Sequence, residues 1–201
     1  MKGRRRLALQ IAEAIGWRLG RLGVQIELFF MVREGGLTAN LPPPREDFSF
    51  VRLSPTDLQD ILGLDSTEQQ VKVLARFNDA KDLCFGLRDG SRLVAKVWCS
   101  LSWLSHLPVQ RALGNREAYL YAAYTDPLYR GRQLAPLLRS GCYRAMQELG
   151  RTDLLSYTVY CNTASRRFKA KLGAVEESLH VSVRLFRKWS RTWKLRTYPT
   201  G

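Results

Sequence analysis

The stretch of residues 117–150 constrains the fold of this chain more than any other part. Residues 117–125 are rich in tyrosine and alanine without helical spacing, which predicts a strand that ends at Asp126-Pro127. After a short loop, apolar side chains recur every three or four residues over 134–149 and predict a helix with one buried stripe. Pro136 falls in the first turn of this helix, where a missing N–H costs nothing.

The junction between this strand and this helix has a geometry that binds phosphate groups. The first N–H groups of a helix have no partner within the helix, and the helix dipole adds partial positive charge there. Arg130 and Arg132 place two guanidinium groups at the same end. Strand–loop–helix units are common, so by itself the pattern predicts only a candidate anion site.

Two blocks of the sequence resemble the GNAT superfamily of acyl-CoA-dependent N-acyltransferases. The first block, Arg130 to Ala135 (RGRQLA), matches the signature R/Q-x-x-G-x-G/A except at its fourth position, where Gln133 replaces glycine. The second block, Asn162 to Gly173, contains the N-x-A-S…K-L-G pattern of the branch that acts on protein N-termini and related amines. A strand-like segment separates the two blocks, as in the family.

The resemblance implies a fold that contains both helices and strands, α/β in the broad sense and α+β in the narrower one. Its sheet would be mixed, mostly antiparallel and twisted, with helices flanking it. Residues 46–201 would form the acyltransferase domain with a basic C-terminal tail. Residues 1–45 would form an extension of basic helix, strand and proline-rich linker. Apolar patterns and turn signals predict further strands at 24–32, 48–53, 83–87, 93–103, 154–160 and 175–189, and a loop or short helix at 105–115.

The same resemblance implies transfer of an acyl group, most simply acetyl, from coenzyme A to a primary amine by direct attack, with no metal. Glu117 has the strand position of the general base in the histone-acetylating branch; the alternative is an exposed strand residue without a role. Ser165, with Tyr157 and Tyr160 in reserve, is the proposed proton donor to the thiolate, but a serine there can simply satisfy a helix donor. Residues expected to contact the cofactor are Ala123, Tyr124, Thr125, Arg130, Gly131, Arg132, Gln133, Leu134, Ala135 and Asn162.

The charge of the chain suggests a second, anionic partner. Its formal net charge is +14 and its isoelectric point is about 10.1. Residues 1–22 have the pattern of a basic amphipathic helix, and residues 187–196 mix tryptophan with arginine and lysine. We expect an anionic membrane surface in preference to nucleic acid, with packing of both ends on the domain as the structural alternative. The alternative function is therefore a binding module or catalytically weak homologue held at such a surface.

Cysteine and histidine usage argues against a metal site. The four cysteines, at 84, 99, 142 and 161, include no C-x-x-C pair, and the two histidines stand apart from them. Most of these cysteines are expected in the core, which fits a reducing compartment. No stretch approaches the ~20 apolar residues that span a bilayer. We expect a cytoplasmic protein, peripheral at the inner membrane face if the basic ends bind lipid. The acceptor, the acyl chain length and the oligomeric state stay open.

Overall fold

The computed structural model describes residues 23–35, 41–78, 80, 82–106, 109–186 and 188–199 of the chain. These residues form a large, mostly antiparallel sheet with helices packed against it, which confirms the predicted fold class. The amphipathic helix predicted for residues 1–22 lies outside the described residues. No helix among the described residues is long and apolar enough to cross a membrane.

In the described part of the chain, eight of the ten strands lie side by side in the order β10-β9-β1-β8-β7-β4-β3-β2, and β5 with β6 forms a separate hairpin. The strands are β1 (Val24–Arg33), β2 (Ser49–Leu53), β3 (Leu83–Asp89), β4 (Arg92–Ser100), β5 (Trp103–His106), β6 (Val109–Ala112), β7 (Glu117–Thr125), β8 (Asp153–Val159), β9 (Val175–Leu185) and β10 (Trp189–Thr197). The helices are α1 (Leu58–Leu64), α2 (Gln70–Asn78), α3 (Leu134–Glu148) and α4 (Thr163–Lys171), with 3-10 turns at Pro55–Asp57 and Pro127–Tyr129.

The parallel neighbours β7 and β8 are joined for only a short distance. Their register covers Glu117 with Asp153, Ala118 with Leu154 and Tyr119 with Leu155, and no further pairs follow in the described residues. Beyond Tyr119 the two strands therefore diverge. Helix α3, which connects them, packs its apolar stripe over β3, β4 and β7.

The apolar stripe of α3 forms the main core with the strands beneath it, as its spacing predicts. Leu134, Leu138, Cys142 and Met146 are all buried and belong to one cluster with side chains of β4, β7 and β8. Burial of each such leucine side chain contributes about 1.5–3 kcal/mol to folding. Cys84 and Cys99 are buried as well, which agrees with the expectation that most cysteines lie in the core.

The first strand, β1, lies inside the sheet. It pairs antiparallel with both neighbours, so that Phe29 lies between Val159 of β8 and His180 of β9. Directly after β1 the backbone N–H of Glu34 donates to the carbonyl of Leu154 over 2.7 Å. The N-terminal part of the chain thus delivers a carboxylate to the interior, next to the gap between β7 and β8.

Two stretches of the chain differ from their predictions. The prediction of a loop or short helix at 105–115 is wrong, because β5 and β6 form an antiparallel hairpin in which Trp103 pairs with Ala112. Leu104 of this hairpin is buried against Phe29 and Tyr119. The strand predicted for 175–189 is confirmed as β9, but it ends at Leu185. The chain turns after Leu185, and the basic tail returns as β10, paired with β9 along its length. In both cases the deciding contacts are cross-strand pairs that local periodicity does not reveal.

Gly35 shows how closely β1 approaches α4. A Cβ atom at Gly35 would lie 1.8 Å from the carbonyl oxygen of Leu172, which is backbone and cannot rotate away. We expect Gly35→Ala to lower the free energy of unfolding by about 1–3 kcal/mol. Gly63→Ala is the control, because nothing lies within 4 Å of a Cβ there and the helical site is exposed. Urea unfolding should show Gly63→Ala unchanged or stabilised by up to about 1 kcal/mol; equal effects of the two changes would contradict the packing argument.

Candidate active site

A cleft of about 1000 Å³ opens where β7 and β8 diverge, with α3 and α4 as its walls. A concave site of this size accommodates a cofactor or a drug-sized ligand. Its lining comprises Leu120–Thr125 of β7, Tyr129–Gly131, Gln133–Pro136, Leu138 and Arg139 around α3, Tyr157–Val159 of β8, and Asn162, Ala164, Ser165 and Arg167–Lys171 around α4.

The turn before α3 leaves polar backbone groups at one end of the cleft. Gly131 has φ +83°, and Gln133, the N-cap residue, makes no capping bond with its side chain. The N–H groups of Leu134 and Ala135 have no acceptor within the helix, since they belong to its first turn. Asp126 fixes the preceding loop by accepting from the N–H of Leu128 at 2.9 Å. This end of the cleft therefore combines free donors with the positive end of a helix dipole.

The two arginines of this turn are placed differently. Arg130 lines the cleft, with its guanidinium 6.0 Å from the ring centre of Tyr124 and its Nε 3.4 Å from the carbonyl of Thr125. Arg132 is not among the lining residues, and its guanidinium lies over the ring of Tyr129 at 5.1 Å. Arg130 is therefore the side chain that adds positive charge to the cleft at this end.

The backbone of Gln133 explains why the family signature has glycine at this position. Gln133 has φ +62° and ψ +27°, the left-handed region that glycine adopts without strain. A residue with a Cβ atom pays about 1–2 kcal/mol for this conformation. The departure seen in the sequence thus has a backbone cost as well as adding side-chain bulk beside the cleft.

A bulge in β7 exposes backbone along the other wall. The register between β4 and β7 shifts after the pair Trp98–Tyr121 and resumes at Lys96–Tyr124, and Ala122 has φ +46°. Ala122 and Ala123 are both exposed and line the cleft. Backbone groups that leave a strand ladder in this way can bond to an extended ligand.

The N-terminus of α4 forms the facing wall. The side chain of Asn162 caps this helix by accepting from the N–H of Ser165 at 3.0 Å, which confirms the predicted cap. Asn162 and Ser165 both line the cleft. Tyr160 is not among the lining residues, and its ring stacks on Phe30 with 5.5 Å between centroids.

Glu117 lies outside the cleft, at the paired end of β7. Its two carboxylate oxygens accept from Arg111 at 2.6 and 2.7 Å, and one also accepts from the N–H of Gly114 at 2.8 Å. The hydrogen bonds from Arg111 lower the pKa of Glu117 to about 2. The assignment of Glu117 as general base stays a prediction, as does that of Ser165 as proton donor. Of the predicted site residues, Glu117, Tyr160 and Arg132 are the ones that the structure leaves outside the cleft lining.

A buried charge cluster beneath the cleft was not predicted. It consists of Glu34, Arg139 and Lys169, which are 5%, 4% and 3% exposed. One carboxylate oxygen of Glu34 lies 3.8 Å from Arg139 Nη1 and 3.4 Å from Lys169 Nζ. Tyr143 and Ser156 donate hydrogen bonds to the same carboxylate. No local signal announces this cluster, because its members come from three distant parts of the sequence.

Lys169 is the best-bonded member of the cluster. Its Nζ donates to Ser156 Oγ and Thr158 Oγ1 at 2.7 Å and to the carbonyl of Tyr157 at 3.1 Å. Burial lowers the pKa of Lys169 to about 8, although Glu34 opposes the shift. Burial raises the pKa of Glu34, but the charges of Arg139 and Lys169 outweigh it and hold the pKa at about 2. Glu34 is therefore held as a carboxylate, and its negative charge favours the charged form of Lys169.

Comparisons with known proteins agree with this geometry. The family model described as the acetyltransferase (GNAT) family matches residues 51–174, more than half of the chain. A crystal structure from Novosphingobium aromaticivorans, described as an acetyltransferase of the GNAT family, superposes with a TM-score of 0.60 at 18% identity, covering 87% of this chain and 69% of that one. A comparison with curated protein sequences returned no match.

Two further solved structures share the fold. The ribosomal-protein-S18-alanine N-acetyltransferase from Escherichia coli has a TM-score of 0.52 at 17% identity, over 63% of this chain and 76% of that one. The aminoglycoside enzyme AAC(6')-Iy, in complex with a bisubstrate analogue of coenzyme A, has a TM-score of 0.51 at 17% identity, over 63% of this chain and 89% of that one.

Among the described residues no group of three or more histidine, cysteine or acidic side chains could hold a metal ion.

The strain at Gln133 can be tested by one substitution at two sites. We expect Gln133→Gly to leave the free energy of unfolding unchanged or raise it by up to about 1 kcal/mol, because glycine relieves the left-handed conformation. Gln147→Gly is the matched control at an exposed position of the same helix, where glycine should cost about 0.5–1 kcal/mol. Chemical unfolding of both variants gives the comparison. A loss at Gln133 as large as that at Gln147 would show that position 133 is unstrained.

Proposed function

The chain belongs to the GNAT acetyltransferase family, and on that premise we propose that it transfers an acyl group from coenzyme A to a primary amine. The observation that carries this proposal is the cleft between β7 and β8, which has free helix N–H groups at one end and exposed strand backbone along one wall. Acetyl is the simplest acyl group for such a reaction. The amine acceptor stays open.

Coenzyme A fits the polarity of the cleft from one end to the other. We place its pyrophosphate against the turn from Gly131 to Ala135, where the helix dipole and Arg130 favour negative charge. The pantetheine arm would then follow the exposed backbone at Ala123 and Thr125 towards the gap between the strands. This arrangement presents the thioester to the deep part of the cleft, near Tyr157.

The reaction needs a neutral attacking amine and a proton for the departing thiolate. Ser165 is the proposed donor that lines the cleft, and a hydroxyl there can pass a proton to the sulfur. Glu117 keeps the proposed role of base at a distance, through water, because it lies outside the lining. Positioning of amine and thioester in one closed gap contributes to the rate independently of either group.

Charge reversal at the turn before α3 tests the binding of coenzyme A. We expect Arg130→Glu to weaken acetyl-CoA by about 1–3 kcal/mol, since it removes a charge-assisted contact and adds a repulsive one. Arg132→Glu makes the same charge change two residues along, outside the cleft lining, and should have the smaller effect. Isothermal titration calorimetry with acetyl-CoA measures both. Unaltered affinity of Arg130→Glu would place the cofactor elsewhere.

A second proposal concerns the outer strand of the sheet. Trp189, Arg191 and Trp193 lie on one face of β10, and the two indoles are 46% and 41% exposed. The register continues this face through Val183 to Ile26 of β1, which is 52% exposed. Indole, guanidinium and aliphatic groups together suit the headgroup boundary of an anionic membrane. We therefore propose that this face attaches the protein to anionic lipid. The same face would serve the alternative function, a binding module held at a membrane surface.

Two charge reversals on opposite faces of β10 distinguish lipid binding by the tryptophan face from non-specific electrostatic attraction of the whole protein. Arg191 lies on the tryptophan face and Lys194 on the other, beside buried His180. We expect Arg191→Glu to reduce co-sedimentation with anionic vesicles more than Lys194→Glu, on the scale of about 1 kcal/mol per basic residue. Neutral vesicles should bind weakly. Equal effects of both variants, or binding to single-stranded nucleic acid without vesicle binding, would contradict the proposal.

A further inference from the structure

The buried cluster beneath the cleft has an uneven charge balance. Glu34 contributes one negative charge, whereas Arg139 and Lys169 contribute two positive charges, and all three side chains are at least nine-tenths buried. Removal of an ion from water costs several kcal/mol unless a partner compensates it. The other groups that bond to Glu34 are the neutral hydroxyls of Tyr143 and Ser156. One buried positive charge therefore lacks a counter-charge within the cluster.

Arg139 is the member of the cluster with an unsatisfied hydrogen-bond donor. Its Nη1 atom is buried and has no hydrogen-bond partner among the described residues, and the nearest carboxylate oxygen is 3.8 Å away. Buried donors without an acceptor are rare in proteins, and each one calls for an explanation. Lys169, in contrast, already donates to three oxygens. The missing acceptor is therefore expected at the guanidinium of Arg139.

Both cationic side chains contribute to the cleft wall. Arg139 and Lys169 belong to its lining, together with Leu120, Tyr121, Tyr157 and Thr158 at the gap between the strands. Arg139 follows the first residue of α3 by five positions, about 7.5 Å along the helix axis. It is thus set back from the turn proposed for the pyrophosphate. A ligand that extends from that turn into the gap reaches the part of the lining to which Arg139 belongs.

We propose that the acyl donor of this protein carries a carboxylate on its acyl group, as malonyl-CoA and succinyl-CoA do, and that Arg139 is the residue that binds it. This inference rests on the proposed function, since it assumes that coenzyme A lies along the cleft. The planar guanidinium matches a carboxylate with two parallel hydrogen bonds, which a point charge does not offer. Lys169 supports the same anion through its charge. A bound carboxylate restores an equal number of positive and negative charges in the buried cluster.

The contribution of β1 follows from the same balance. Glu34 stands outside the part of the chain that the family model matches, yet it neutralises one of the two cations. Without Glu34 the site would bury two uncompensated positive charges. With it, the site keeps a single positive charge, which is suited to a single carboxylate. The strand β1 thereby sets the charge selectivity of the site.

Three thioesters test the proposal without knowledge of the acceptor. Acetyl-CoA, butyryl-CoA and succinyl-CoA are titrated calorimetrically into the full chain at pH 7. Succinyl-CoA has the same four-carbon chain as butyryl-CoA with a carboxylate in place of the methyl group. We expect succinyl-CoA to bind at least about tenfold more tightly than butyryl-CoA, the scale of one charge-assisted hydrogen bond. Equal affinities in the wild-type protein would overturn the proposal.

Two variants identify the residue responsible. Arg139→Met leaves Glu34 and Lys169 as a one-to-one pair, so it should fold, and it should abolish the preference for succinyl-CoA over butyryl-CoA. Lys169→Met reaches the same charge balance by the other route and should reduce the preference too. Arg167→Met is the matched control, because Arg167 also lines the cleft but is exposed. It should keep the preference.

The remaining outcomes are distinct. If Arg139→Met weakens all three thioesters equally, Arg139 binds the shared pantetheine arm, and the proposal is overturned. Survival of the succinyl preference in Arg139→Met also overturns it. If no thioester binds the wild-type protein, the proposed function fails together with this inference. If acetyl-CoA binds and succinyl-CoA gains nothing, the proposed function stands and only the inference falls.

Discussion

The divergence of two parallel strands is the constraint on which the rest of the site depends. β7 and β8 pair over Glu117–Tyr119 and Asp153–Leu155, and then separate. Helix α3 connects them, because a parallel pair needs such a crossover. Residues of its first turn line the opening. A cleft with strand backbone on one wall and helix donors at one end follows from this connection, before any side chain is considered.

Backbone strain concentrates along the same opening. Ala122 at the bulge in β7 and Gln133 before α3 both have positive φ, and both line the cleft. Conformations of this kind cost of order 1–3 kcal/mol each and persist where the surrounding structure holds them. Here the register of β4 fixes one, and the loop tied to Asp126 fixes the other. At Ala122 the bulge takes backbone groups that line the cleft out of the pairing with β4.

The buried cluster joins the N-terminal strand to this site. A buried ion pair is weak evidence for stability, because desolvation of the ions offsets most of their attraction. We therefore relate Glu34, Arg139 and Lys169 to the proposed binding of an acyl carboxylate and not to stability. β1 carries Glu34 there by pairing between β8 and β9. The position of β1 in the sheet is thus linked to the chemistry of the cleft as well as to the core.

The sequence by itself determined the local features of this protein. The strand of β7, the apolar stripe of α3 and the cap at Asn162 follow from residues close together in the chain, and two motif blocks sufficed for the fold class. Tertiary structure alone decided the place of β1, the pairing of the basic tail as β10, and the burial of Arg139 beside Glu34. These depend on contacts between residues far apart in sequence. Periodicity reports which side of an element is apolar, but not which distant charge will meet it.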